Sequence, residues 1–285
     1  MHHAHIFALL SSHSGGTAHR SPVPLLLAAA LIAVEYGWHW LRGSDGYDLK
    51  ESASSLFVAA GRFLPRAAAG LVQAPVFLWV YDHRLFTIAP NSVWAILALL
   101  LVTEFAYYWF HRFSHTVRWM WASHSVHHSP THLNLSAAYR LGWTEVVSGD
   151  WLFFLIPILI GFNPIAIVTM MGLNLTYQFF LHTEAVKSLG PLEWVLNTPA
   201  HHRVHHAKNP SCLDKNYGGI LIIYDRLFGT FASAPKDEPL QYGLASKTPS
   251  YNPVKILFGE WAAIARDMFK ARSPRAIWNA AFGRP

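Results

Sequence analysis

Charge is scarce in this chain of 285 residues: Asp, Glu, Lys and Arg make up 13% of it, about half of what soluble domains carry. With 52% hydrophobic residues and a mean hydropathy of +0.22, that scarcity excludes an ordinary water-soluble globule. Cysteine is scarcer still. The one cysteine, Cys212, excludes an intramolecular disulfide and any cysteine-based zinc or iron–sulfur site, so a metal would have to be held by nitrogen and oxygen. The N-terminal 21 residues are His-, Ser- and Gly-rich with no long apolar run, so no cleavable signal pattern is expected; with His2, His3, His5, His13 and His19 they read as a disordered polar tail, 1–21. No glycine fingerprint for a flavin or nicotinamide follows a strand–helix pattern, which removes a built-in source of electrons.

Histidine, by contrast, is abundant and clustered. Eleven of the eighteen histidines fall into four short groups: His111 and His115; His124, His127, His128 and His132; His182; and His201, His202, His205 and His206. A closed zinc site uses four ligands, so this density points to two ions sharing a polyhistidine cage. His111 and His115 are four apart, on one face of a helix. The spacing HxxHH then occurs twice, at His124, His127, His128 and at His202, His205, His206. We expect these eight and His182 to be the ligands, with His132 and His201 standing behind them or facing solvent.

The apolar segments place the cage at a membrane. Against the roughly 20 residues that a helix needs to cross a bilayer, 22–40 and 92–110 are candidate spans. The stretch 151–181, broken at Gly161-Phe162-Asn163-Pro164, reads as two arms joined by a turn, and 67–81 is a weaker candidate. The expected fold is thus an all-α, multi-pass membrane protein of four to five spans with a cytosolic helical cap that carries the site. On the five-span arrangement the segments 42–66, 111–145 and 182–285 carry four, three and thirteen Lys and Arg, against one each for 1–21 and 82–91. The positive-inside rule then puts every histidine cluster on the cytoplasmic side. The net charge of +6 is accounted for by topology and membrane attraction, with no nucleic-acid module required. The expected divisions are the tail, a membrane domain 22–245 and an amphipathic segment 246–285.

Several longer strings resemble the fatty acid hydroxylase and sterol desaturase superfamily of membrane non-haem di-iron enzymes, in the branch that includes alkylglycerol monooxygenase. They are Glu104-Phe-Ala-Tyr-Tyr-Trp-Phe-His111-Arg-Phe-Ser-His115, Trp121-Ala-Ser-His124-Ser-Val-His127-His128-Ser, Asn134-Leu-Ser, His182-Thr-Glu184, Asn197-Thr-Pro-Ala-His201-His202-Arg-Val-His205-His206 and Asp214-Lys-Asn-Tyr-Gly-Gly. The likeness covers roughly residues 30 to 245. It departs from the branch at Ser129-Pro130-Thr131-His132, where His-Ser-Ser-Glu is usual, and at Leu141, where a glutamine is usual. The resemblance implies two iron ions, O2, a lipid substrate drawn from the bilayer and an external electron donor, either a reductase chain or a reduced pterin. The expected reaction is hydroxylation of a lipid or sterol-like molecule. Desaturation by the same centre is the alternative, and a histidine-rich metal-binding or transport protein is a more distant one; the oligomeric state is not legible.

Three further side chains are drawn into the expected site. Glu104 is an acid within an apolar span, on the face of His111 and His115, and is expected to accept from a ligating imidazole. Asn134 could bond a metal-bound water or cap a helix. Glu184 is a candidate for orienting a histidine, although exposed charge is the commoner fate of glutamate.

Overall fold

The computed structural model describes residues 23–245 and 247–285. The tail 1–21 and its histidines lie outside the described residues. Within them the chain is all-helical; the only β pairing is three isolated bridges, among them Ile88 with Phe162.

Among the described residues, three helices are long and apolar enough to cross a membrane: α1 (Val23–Leu41), α3 (Phe63–Asp82) and α4 (Val93–Thr116). Their outward faces are apolar and exposed, as at Leu25, Leu26 and Val34 on α1, Leu64, Leu71 and Trp79 on α3, and Trp94 and Leu97 on α4. A soluble protein does not display such a surface. Between α1 and α3 lies α2 (Leu49–Gly61), started by Asp48, whose carboxylate accepts from Lys50 N at 2.8 Å and Glu51 N at 3.2 Å. Ser92 starts α4 in the same way, accepting from Ala95 N at 3.2 Å.

The candidate spans all take helical form, at different lengths. The weak candidate 67–81 lies inside the 20-residue α3, whereas the stretch 151–181 makes two short arms. The first arm is a 3-10 turn, Asp150–Phe154, running into α7 (Leu155–Ile160), and the second is α8 (Pro164–Phe179). At 1.5 Å per residue α8 is about 24 Å long, short of a hydrocarbon core of roughly 30 Å. The positive-φ Gly161 separates the two arms. Gly161 has φ 138° and packs with its α-carbon against the Phe86 carbonyl, where a Cβ would clash at 2.4 Å. That contact lets Leu85 N, Phe86 N and Ile88 N donate to the carbonyls of Leu159, Ile160 and Gly161 at 2.8, 3.2 and 3.0 Å. The turn 161–164 and the loop 83–91 therefore lie at one end of the bundle.

The core between these helices is apolar: Phe77 and Val80 of α3, Leu99 and Ala106 of α4, Phe154, Ile158 and Phe162 of the first arm, and Ile167 and Met170 of α8. At the opposite end α4 continues through Val117 into α5 (Arg118–His128). After α6 (Glu145–Ser148) and the hairpin, α9 (Pro199–His206) begins with a proline at its first position, where the missing N–H is no loss. A short α10 (Ile223–Leu227) and the C-terminal pair α11 (Pro253–Lys270) and α12 (Pro274–Phe282) complete the chain.

Candidate metal centre

Four elements meet at the end of the bundle away from the 83–91 loop: the last two turns of α4, all of α5, the segment after α8, and α9. They gather nine histidines into two groups, each with its candidate donor atoms within 4.8 Å of one another. One group holds His111, His115, His124, His128 and His205; the other holds His127, His182, His202 and His206. The doubled HxxHH spacing acquires a geometric reason. On α5 the pair His124 and His128, one turn apart, faces the first group while His127 turns to the second. On α9 the assignment is reversed: His202 and His206 face the second group and His205 the first. Each helix thus serves both groups, and α4 and His182 complete them.

Nitrogen by nitrogen, the rings are set for a cation. His182 Nδ1 donates to Gln178 O at 2.7 Å and His127 Nδ1 to Arg140 O at 3.3 Å. A carbonyl only accepts, so both Nδ1 atoms carry the proton and both Nε2 atoms carry a lone pair. Yet those two Nε2 atoms are 3.2 Å apart, and His202 Nε2 lies 3.1 Å from that of His182. Neutral imidazoles held in this way repel unless a positive charge sits among them. The first group repeats the device. His111 Nδ1 donates to Tyr217 O at 2.7 Å and His205 Nδ1 to Lys215 O at 2.9 Å, while the Nε2 atoms of His115 and His205 are buried with no hydrogen-bond partner. Burial, ahead of repulsion from neighbouring rings, pushes His124 down to about 3. It pushes His182 and His205 down to about 4, against the pull of their carbonyl partners. His127, His128, His202 and His206 are held below the ordinary histidine value for the same reason, burial first. All are neutral at physiological pH, the form that binds a metal. The donor set fits two cations of a kind that accepts imidazole nitrogen.

The other candidates stand elsewhere. Glu104 does not reach an imidazole: one oxygen accepts from Ile220 N at 2.7 Å and Leu221 N at 3.0 Å, and the other from Asn174 Nδ2. Two backbone donors and an amide satisfy a buried carboxylate as well as a ring would, and the helix face alone could not reveal them. Asn134 closes a turn, its Oδ1 accepting from Ser136 N and Ala137 N at 3.1 and 3.3 Å and its amide donating to Gly46 O at 2.9 Å. Glu184 accepts from Tyr242 OH at 3.0 Å, and His132 pairs with Glu51 at 2.9 Å outside both groups. His201 is buried against Phe231, also outside both.

What the sequence hid is how the rings are anchored. The sequence points to carboxylates for this, but the anchors are the backbone carbonyls of Arg140, Gln178, Lys215 and Tyr217. A carbonyl orients a ring without burying a charge. Their own positions are fixed by buried polar side chains. Arg140, with no exposed surface, donates to Ser55 Oγ, Ser129 Oγ and Glu51 O at 3.0, 3.2 and 2.8 Å. Glu35 on α1 accepts from Tyr47 OH, Leu135 N and Thr183 Oγ1, tying the residue after His182 to the first helix. Arg203 donates to the carbonyls of Thr183, Val186 and Lys187.

Residues 96–230, which contain all nine rings, match the fatty acid hydroxylase family. The chain belongs to the fatty acid hydroxylase superfamily. It is 40% identical over 248 residues to alkylglycerol monooxygenase of Danio rerio, across 84% of this chain and 54% of that protein. The Homo sapiens alkylglycerol monooxygenase is 35% identical over 240 residues, covering 84% of this chain and 53% of its own length. An ornithine lipid hydroxylase from Rhizobium tropici is 28% identical over 233 residues, covering 78% and 68%. The chain thus spans about half the length of the alkylglycerol monooxygenases that it matches. No solved structure matches it. Together with the three apolar helices, this membership makes the chain an integral membrane protein.

Proposed function

We propose that the two histidine groups bind two iron ions and that the protein is an O2-dependent oxygenase that hydroxylates a lipid or sterol-like substrate. The observation that carries this reading is the pairing of Nε2 lone pairs across rings whose Nδ1 protons are already committed to carbonyls. Zinc could occupy such nitrogens, but breaking an unactivated C–H bond needs a redox metal, and iron with O2 supplies that one-electron chemistry when bound. The names of the relatives, monooxygenase and hydroxylase, favour hydroxylation over desaturation. Clustering of the rings at one end of the bundle disfavours a transporter, which needs ligands near mid-membrane.

The chain's own residues do three things for such a reaction. The carbonyls of Gln178, Arg140, Tyr217 and Lys215 orient rings so that none must rotate to bind. Burial excludes water and keeps the rings neutral. An apolar groove of about 490 Å³ runs between α4 and the first arm, lined by Leu101, Phe105, Trp109, Phe153 and Ile156 among others, and is open to the lipid phase. Phe110 stands between that groove and the first group, its ring packed on Phe153 at 6.4 Å on one side and on His124 at 6.5 Å on the other. We assign the groove to an alkyl chain of the substrate, the hydroxylase unit to 22–245, and the histidine end to the cytoplasm on the distribution of Lys and Arg. Electrons come from a separate reductase or a reduced pterin.

Comparative mass spectrometry of lipids from cells with and without the active protein tests this reading. An O2-dependent product heavier by one oxygen, or the fragments of a cleaved ether, is expected. A product lacking two hydrogens would replace hydroxylation by desaturation, and unchanged lipids alongside metal uptake would defeat the oxygenase reading.

A further inference from the structure

The C-terminal helix α11 has three faces, and only one of them is used inside the molecule. Ile256, Leu257, Glu260 and Ile264 are buried against α2 and α5. Val254, Phe258, Ala262, Ala265 and Phe269 recur every three or four residues and are all exposed, Phe269 at 93%. At about 100° per residue they share one stripe roughly 80° wide. Beside that stripe run Lys255, Arg266 and Lys270, also exposed, and Arg272 and Arg275 follow in the turn and the start of α12. None of these five has an ion-pair partner among the described residues.

The position of the helix indicates what covers the stripe. Arg118, two residues beyond the end of α4, donates to Asp267 at 2.6 Å and to Ala280 O at 3.0 Å, and its own N–H bonds Gly283 O at 2.9 Å. Trp261 Nε1 donates to Thr144 Oγ1 at 2.9 Å, just before α6 and the first arm of the hairpin. The pair therefore sits at the level where α4 ends and the hairpin begins. Tryptophans gather there, with Trp119 edge-on to Trp261 at 4.8 Å and the exposed Trp278 beside Phe282 at 4.6 Å, as at a membrane–water boundary. An apolar stripe next to unpaired cations at that level is complementary to a leaflet of anionic lipid, which takes apolar side chains between its chains and cations at its headgroups.

We propose that α11 and α12 form an interfacial anchor that lies in the headgroup region of the host bilayer and selects anionic lipid. The inference needs only the membrane setting and is independent of the reaction assigned above.

The test uses the full chain in nanodiscs of phosphatidylcholine alone or mixed with phosphatidylglycerol. The buried Cys212 is replaced by alanine, and an environment-sensitive dye is attached to Phe269→Cys. We expect a blue shift and quenching by lipids brominated high on the acyl chain, both greater with phosphatidylglycerol. That increment should be lost in the variant Lys255→Gln/Arg266→Gln/Lys270→Gln, and lost at high salt in the chain that keeps its cations, so the reading does not depend on how the variant folds. A dye open to aqueous iodide in both discs, or equal lipid quenching with and without phosphatidylglycerol, overturns the proposal. So does energy transfer between labelled copies that ignores lipid charge, which would make the stripe a contact with a second copy.

Discussion

Replacing Glu104 separates two roles for an acid in a membrane helix. Its carboxylate accepts three buried hydrogen bonds, from Ile220 N, Leu221 N and Asn174 Nδ2, and Asn174 in turn accepts from Gln178 and Gln178 from Tyr107 OH. Glu104→Ala leaves three buried donors unmatched at about 1–3 kcal/mol each, so a loss of about 3–6 kcal/mol is expected once some relaxation is allowed. That is a large part of a domain stability of about 5–15 kcal/mol. Glu104→Gln should behave differently. Its amide oxygen can keep the two backbone donors, and Asn174 and Gln178 can each flip so that the relay runs the other way, leaving only the Tyr107 proton without its acceptor, at a cost of about 1 kcal/mol. Thermal unfolding in detergent, with metal content measured alongside, distinguishes the two. The alanine variant should unfold far earlier and lose metal from the group containing His111, because the loop that Glu104 holds carries the Tyr217 carbonyl. Equal stability of the two variants would refute the reasoning. So would a glutamine variant as damaged as the alanine one, which would point to direct action of the carboxylate on a ligand.

Three other perturbations have defined outcomes. Phe110→Ala should widen the passage between the groove and His124 and shift substrate preference toward bulkier chains, at a cost of about 3 kcal/mol in stability; an unchanged chain-length profile would contradict the assignment of the groove. Asn216 has φ 56° and holds Ala232 N, Ala232 O and His201 O, so Asn216→Ala adds about 1–2 kcal/mol of left-handed strain and should loosen the neighbouring Lys215 carbonyl; metal affinity should fall first in the group containing His205. The Glu51–His132 pair has a pH signature. The hydrogen bond to Glu51 raises His132, so its contribution is complete below the ordinary histidine value of about 6.5 and is lost as pH rises through the raised one. Burial works against Glu51, but hydrogen bonds from His132 and Thr131 and the charge of Arg140 keep it below its usual range, so its contribution fades only in acid. His132→Ala should remove an alkaline loss of under about 1 kcal/mol and leave the metal content intact, as thermal scans across pH and metal analysis would record.

The histidines were legible in the sequence because helical spacing is local: HxxxH and HxxHH state which rings share a face before any tertiary contact is known. That His127 and His205 turn to the opposite group from their neighbours was not legible, since it depends on how α5 and α9 pack. The anchors were invisible for another reason. A backbone carbonyl has no letter, and the side chains that fix the carbonyls, Arg140 with Ser55 and Glu35 with Thr183, meet across 85 and 148 residues. Hydropathy marks the apolar helices and the break between the two arms, but not that their turn docks on Phe86 through Gly161. Glu104 stands out in the sequence as an acid in an apolar helix, but a partner such as Ile220 lies 116 residues away.

The central claim is that the two histidine groups form two iron sites. Iron analysis and Mössbauer spectroscopy of the purified, anaerobically loaded chain test it most directly, with His127→Ala and His205→Ala measured beside it. The account predicts about two iron ions per chain, one for each group, with loss of one or both in each variant. A single tightly held zinc, or full iron content in both variants, would contradict it.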